Sequence, residues 1–261
     1  HVDDKRGVFV YPWEGTTVIG TTDIDHYDDI DIEAGISDQE VEYLLKAFNS
    51  QFPSKILNRS DVLSTWAGVR PVIGAEKSKD PSKERRDHAV WSDNGLITVS
   101  GGKLTTFRLI ALDALAAAKN NLPQAKEISD DRVFLTPTIT AQSLSPKNTS
   151  WAQRLLGRYG EKAIELVNES SPDEHRNLNE TEFSLAECRW AIKYEAVEHL
   201  DDLLLRRTRL GMCLPNGGTN LYPALKELFL SNQNWDDERW QQEVTRYETI
   251  WKKYYSLPSN V

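Results

Sequence analysis

The chain has 261 residues, of which 39% are hydrophobic and 27% charged, with a formal net charge of −9. That length fits one large or two ordinary domains, and the composition excludes wholesale disorder. No basic stripe accumulates, which excludes a general nucleic-acid binder while leaving room for a local cationic pocket.

The first part is strand-rich. Residues 7–13 (GVFVYPW) and 16–23 (TTVIGTTD) are β-branched and aromatic, flank Glu14 and Gly15, and predict a hairpin. Residues 23–33 carry six acidic side chains but lack the glycine and register of an EF-hand loop, so a solvated loop is expected. Ser37 and Glu40 form a capping box, and Val41, Leu44, Leu45 and Phe48 follow at helical spacing before Pro53. Residues 61–73 return to extended structure and 76–86 form a polar loop. Residues 87–92 and 96–100 read as strands around the Asn94 and Gly95 turn. A long Ala- and Leu-rich helix is predicted from about 104 to 119.

Residues 137–150 are rich in Thr, Ser, Pro and Gln and read as a linker. From Trp151 onward the pattern is helical. Ser184 and Glu187 form a second capping box, opening a segment with Trp190, Tyr194, Val197 and Leu200 at helical spacing. Residues 203–210 continue helically, and two more helices follow at about 223–230 and 236–255. The prediction is an α+β fold: a partial antiparallel sheet with helices, then an all-α C-terminal domain. No internal repeat is visible.

Two cysteines, Cys188 and Cys213, stand at no metal-ligand or disulfide-framework spacing, so a reducing compartment and a cytoplasmic location are expected. No apolar run approaches a membrane span. The chain opens on His1, its only methionine is Met212, and a strand begins at Gly7. A piece of a longer protein is the expectation.

Chemistry concentrates in GLITVSGGKLTTFR, residues 95–108. A cation in the first turn of a helix is unfavourable by roughly a few tenths of a kcal/mol. Lys103 is therefore either a snorkelling surface lysine or the partner of an anion. The Walker spacing fails, because Ile97 and Leu104 stand where Gly and Ser or Thr are needed, and no G-x-G occurs anywhere. What is left is a strand, the paired Gly101 and Gly102, and a helix start whose free N–H groups favour an anion. Arg70 precedes Pro71, which stiffens its backbone, and Trp66 is near in sequence. A guanidinium there suits phosphate or carboxylate, or an ordinary salt bridge. Arg85 and Arg86 precede His88, a candidate general base or a surface histidine. Arg206, Arg207 and Arg209 read first as interdomain salt-bridge residues.

Taken together, VFVYPWEGTTVIGTTD, STWAGVRPV, the arginine before His88, GLITVSGGKLTTFR, YGEKAIEL, AIKYEAVEHLDDLLLRRTRLGM and NWDDERWQQE resemble, in this order, the flavin-dependent glycerol-3-phosphate dehydrogenases. The resemblance covers nearly the whole chain. It falls on the C-terminal half of such proteins, without the N-terminal Rossmann segment that carries the Gly-rich FAD fingerprint. It implies that residues 1–135 are a partial substrate (cap) domain plus the last strand and helix of the FAD domain, and that 136–261 are a C-terminal helical domain. The implied reaction oxidises sn-glycerol 3-phosphate to dihydroxyacetone phosphate by hydride transfer to FAD, with electrons passing to a quinone. FAD is implied for the full-length parent and not for this chain alone. Arg70, Arg86 and Lys103 match the family's substrate cations, with Arg70 and Lys103 implied as catalytic. Gly101, Gly102, Lys103, Leu104 and Thr105 match the turn facing the flavin. The family implies no nucleic acid and leaves open peripheral association of the parent with the inner membrane face. Two further readings stand beside it: an α-glycerophosphate oxidase using oxygen, and a non-catalytic helical interaction module. An amino-acid or glycine oxidase would not match residues 66–72 and the helical region so fully.

Overall fold

A computed structural model describes residues 1–70, 88–122, 138–145, 148–179 and 181–258. The chain divides into two compact units, residues 1–22, 31–68 and 136–261 in one, and 23–30 and 69–135 in the other. The architecture is α+β with a helical C-terminal part.

In the first unit, β1 (Phe9–Trp13) pairs antiparallel with β2 (Thr16–Gly20), Phe9 opposite Gly20 and Trp13 opposite Thr16. Helix α1 (Asp38–Gln51) starts at the predicted capping box: Ser37 N–H donates to Glu40 Oε2 at 3.0 Å, and Glu40 N–H donates back to Ser37 Oγ at 3.3 Å. It buries Val41, Leu45, Ala47 and Phe48. Residues 62–70 form no ladder; instead Thr65 N–H donates to the Tyr255 carbonyl at 2.8 Å, and Ser64 Oγ to the Met212 carbonyl at 2.7 Å. The expected extended segment is thus a strap held to the helical region by the Thr65 N–H and by the Ser64 and Thr65 hydroxyls rather than by a neighbouring strand. Residues 71–73 lie outside the described residues.

The stretch read as a linker contains a helix, α3 (Ala141–Leu144), because Thr140 Oγ1 accepts from Ser143 N–H and caps it. Next come α4 (Thr149–Tyr159), capped by Asn148, and α5 (Lys162–Asn168). Helix α6 (Leu185–Tyr194) begins at the second capping box, which is buried. It stops at Tyr194, short of Val197 and Leu200, because Ala196 takes a left-handed conformation at φ +51°. Both side chains still reach the core, from the loop and the next turn respectively. The predicted continuous helix over 203–210 is likewise broken. A π-helical turn (Asp202–Arg207) ends where Thr208 donates both its N–H and its hydroxyl to the Leu203 carbonyl, and Arg209 at φ +57° restarts the chain as α7 (Leu210–Cys213). Helices α8 (Tyr222–Asn232) and α9 (Asp237–Ile250) complete the unit, the latter running on into a π-helical turn, Trp251–Tyr255.

The main core joins α6, α8 and α9 through Phe183, Ile192, Leu203, Leu225, Phe229, Trp240 and Tyr247. A second cluster packs Trp151, Leu155, Leu166, Ala186 and Trp190. Trp151 Nε1–H donates to Ser184 Oγ at 3.1 Å, which satisfies the buried indole. The Gly211 Cα faces Tyr247, whose hydroxyl donates to the Gly217 carbonyl at 2.6 Å.

In the second unit, β3 (His88–Asp93) and β4 (Leu96–Gly101) form an antiparallel hairpin. Asn94 and Gly95, at φ +47° and +87°, supply its turn as their residue types require. The predicted helix begins with a 3₁₀ turn, Leu104–Thr106, and continues as α2 (Phe107–Ala118).

Candidate functional site

Lys103 is held by its backbone. It lies extended at φ −130°, its carbonyl accepting from Thr106 N–H and Thr106 Oγ1, each at 3.0 Å. Its side chain is exposed, and among the described residues its ammonium has no ion-pair partner. Gly101 and Gly102 precede it at φ +77° and +83°. A Cβ on Gly102 would collide with Ile110 Cδ1 and lie 3.3 Å from His88 Cβ, so this turn requires glycine for conformation and for space. Leu104 is 87% exposed. The N–H groups of Leu104 and Thr105 head the first turn, where intrahelical acceptors do not exist.

Arg70 is half exposed and pairs with Asp23 at 3.6 Å. Asp23 belongs to the acidic run expected to be a solvated loop, and sequence reasoning gave it no role; a carboxylate ending a strand carries no signal of a partner 47 positions away. Arg86 and Arg85 lie outside the described residues. His88 pairs with Asp113, its Nε2 2.7 Å from Oδ2, which ties β3 to α2.

The basic run serves mainly inside the helical region. Arg206 pairs with Asp201 at 2.5 Å, and Arg207 Nε–H donates to the Glu195 carbonyl at 2.5 Å. Arg209 reaches further, its guanidinium 5.5 Å from the Trp13 ring. A charge cluster built on the buried Glu14 and Glu187, with Arg154 and the more exposed Arg158, was not anticipated. Burial pushes the Glu187 carboxyl above its ordinary value, and Arg154 and Arg158 hold it back only in part. Its one sequence signal was a glutamate at a hairpin turn that favours Asn, Asp or Gly. Burial also pushes the Cys213 thiol up to about 11 and raises fully buried Cys188, so neither is a ready nucleophile.

Two family models match the chain in succession. One described as FAD dependent oxidoreductase matches residues 1–108, and one described as C-terminal domain of alpha-glycerophosphate oxidase matches residues 132–240. The mitochondrial glycerol-3-phosphate dehydrogenase of Homo sapiens is 30% identical over 259 residues, covering 92% of this chain and 35% of that protein. The aerobic glycerol-3-phosphate dehydrogenase of Bacillus subtilis is 32% identical over 231 residues, covering 78% and 41%. The X-ray structure of the glycerol-3-phosphate dehydrogenase from Bacillus halodurans, complexed with FAD, superposes with a TM-score of 0.70 at 26% identity, covering 97% of this chain and 52% of that one. Over most of its length the chain is thus similar to FAD-dependent glycerol-3-phosphate dehydrogenases. It spans well under half the length of the two curated relatives, 35% and 41%.

Three features of residues 101–105 could take an anionic group such as a flavin edge: Gly101 and Gly102 present no side chain, the N–H groups of Leu104 and Thr105 have no intrahelical acceptor, and among the described residues the Lys103 ammonium has no ion-pair partner. Among the described residues, no group of three or more His, Cys, Asp or Glu side chains could hold a metal ion.

Proposed function

We propose that this chain is the C-terminal portion of an FAD-dependent dehydrogenase that oxidises sn-glycerol 3-phosphate to dihydroxyacetone phosphate and passes electrons to a quinone. The reading is carried by the succession of the two family matches along one chain, in the order an FAD-dependent glycerol-3-phosphate enzyme requires. Residues 1–135 are read as substrate-domain and FAD-domain elements, and 136–261 as the helical domain.

FAD, when bound, supplies the hydride acceptor. The residues of this chain then bind and orient. The Arg70 guanidinium, steadied on one side by Asp23, offers its remaining N–H groups to a phosphate as a two-pronged fork. Arg86 adds a second cation. The Lys103 ammonium would stabilise negative charge developing on the C2 oxygen, an effect that grows as water is excluded. The turn at residues 102–105 would hold the flavin through its backbone, with the Leu104 and Thr105 N–H groups as the donors that have no intrahelical acceptor. No helix among the described residues is long and apolar enough to cross a membrane.

The test is the full-length protein purified with its flavin. Glycerol 3-phosphate should bleach the flavin and reduce a soluble quinone analogue. Absence of bleaching overturns the reading. A second reading, α-glycerophosphate oxidase, is favoured by the description of the model matching residues 132–240. Stoichiometric hydrogen peroxide, with no quinone reduction, selects it.

A further inference from the structure

Glu14 occupies the first central position of the β1–β2 turn at φ +49°, with Gly15 following at φ +79°. Turns of this hand favour Asn, Asp or Gly, because a longer side chain gains nothing locally to offset the steric cost of a left-handed backbone. A glutamate here needs its compensation from elsewhere. Its side chain is only 6% exposed, and Oε1 accepts from Arg154 Nη1 at 3.0 Å and from Arg158 Nη1 at 3.4 Å. The two arginines stand four residues apart on one face of α4. Their guanidinium carbons lie 4.5 and 4.7 Å from the Phe183 ring centre, and the fully buried Glu187 approaches them at 3.5 and 3.8 Å.

Two carboxylates and two guanidiniums therefore meet, and of these Glu14, Glu187 and Arg154 are too buried to stand unpaired without cost, while Arg158 stands at the exposed rim. The arrangement is not an economical source of stability. Glu14 Oε2 and Arg154 Nε and Nη2 are buried without a hydrogen-bond partner among the described residues, and buried ion pairs break even at best against apolar packing. Their best-attested use is to select one register over others. The neighbouring contacts run the same way. Trp13 packs beside Trp66 with a centroid separation of 6.5 Å and beneath Arg209, while Ser64 and Thr65 bond to carbonyls of the helical region. All of these residues lie in one compact unit.

We propose that Glu14 is a positioning residue: its carboxylate, locked by Arg154 and Arg158, sets the register in which the β1–β2 hairpin seats on the helical region. The helical region is, on this view, the mould for a substrate-side element of the enzyme. The catalytic consequence rests on the function proposed above; the register does not.

Amide hydrogen exchange on the 261-residue chain tests the register. In Glu14→Gln, which keeps the size and removes the charge, exchange over residues 9–20 should accelerate at least tenfold while α6 and α8 stay unchanged. Arg154→Met should do the same, and the double variant should add little further. Arg158→Lys keeps the charge and loses the fork, and should give a smaller acceleration confined to the hairpin, so the proposal can be read even if Arg154→Met does not fold. Unchanged hairpin exchange in Glu14→Gln, acceleration spread evenly over the chain, or full additivity in the double variant overturns it. In the full-length enzyme, Glu14→Gln should raise KM for glycerol 3-phosphate and leave kcat in place; a lower kcat at constant KM overturns the positioning role. An enzyme inactive on glycerol 3-phosphate would sink the proposed function and leave the exchange result to decide Glu14.

Discussion

Asp23 and Arg70 form an ion pair at 3.6 Å in which the carboxylate is the more buried partner, 19% exposed against 46%. Asp23 anchors the guanidinium, which among the described residues keeps N–H groups for an incoming anion. In the holoenzyme, Arg70→Ala should raise KM for glycerol 3-phosphate by an order of magnitude or more, matching the roughly 2 kcal/mol lost with a charge-assisted contact. Arg70→Lys should recover only part, because an ammonium cannot reproduce the fork. Steady-state kinetics decides, and an unchanged KM removes Arg70 from the site.

Gly102 is constrained twice, by φ +83° and by the approach of Ile110 and His88. Gly102→Ala should lower stability by about 1–3 kcal/mol, the usual cost of overpacking, with a further contribution from the backbone conformation. Thermal unfolding reads the effect. Adding Ile110→Ala should relieve the collision and leave the conformational part. A Tm unaffected by Gly102→Ala means the turn can be remade without harm, and its fit to a flavin edge loses its footing.

Gly211 presents the same constraint in the helical core without the positive φ. A Cβ there would meet the Tyr247 hydroxyl and lie 3.1 Å from Leu205 Cδ2 and 3.3 Å from the Leu204 carbonyl oxygen. Displacing the Tyr247 hydroxyl also breaks its bond to Gly217. Gly211→Ala should cost about 1–3 kcal/mol in denaturant unfolding. Tyr247→Phe in the same background should then cost much less than it does alone, because the bond is already lost. Equal costs in both backgrounds contradict the clash.

His175 stacks on Trp151 at 4.5 Å, with Nε2 3.0 Å from Ser170 Oγ. Burial lowers its pKa below the ordinary 6.5, opposed in part by Glu174. The folded state therefore takes up this proton less readily than the unfolded chain. The contribution of His175 is fully present above pH 6.5 and is lost as pH falls through the window between 6.5 and the folded value. His175→Gln should flatten that part of the stability–pH curve. A wild-type curve and a variant curve that run parallel below pH 6.5 would refute the assignment.

Local rules carried much of the fold. Ser37 with Glu40 and Ser184 with Glu187 are capping boxes in the sequence and in the structure, since each depends only on residues three apart. The turn at Asn94 and Gly95 was legible for the same reason. Apolar spacing, by contrast, overran the ends of helices. Val197 and Leu200 continue the rhythm of α6, yet the chain turns at Ala196 and they enter the core from beyond its end. Periodicity reports which side chains are buried and is blind to a break that preserves burial. At the candidate site, the Gly101 and Gly102 turn could be read from residue type. Asp23 beside Arg70 and Glu14 between two arginines could not, because their partners are 47 and about 140 positions away.

The strap over residues 62–68 has a consequence for synthesis. Thr65 closes on Ser256 across 191 positions, Ser64 on Met212 across 148, and Tyr255 on Glu33 across 222. At roughly 5–20 residues per second, an emerging chain waits on the order of ten seconds or more between making these early segments and making their partners. During that wait Trp13 and Trp66 can meet each other, but the strand edges and the surfaces that later seat on the helical region stay exposed, so the yield of folded protein depends on how well the ribosome-bound chain is chaperoned as well as on the stability of the finished fold.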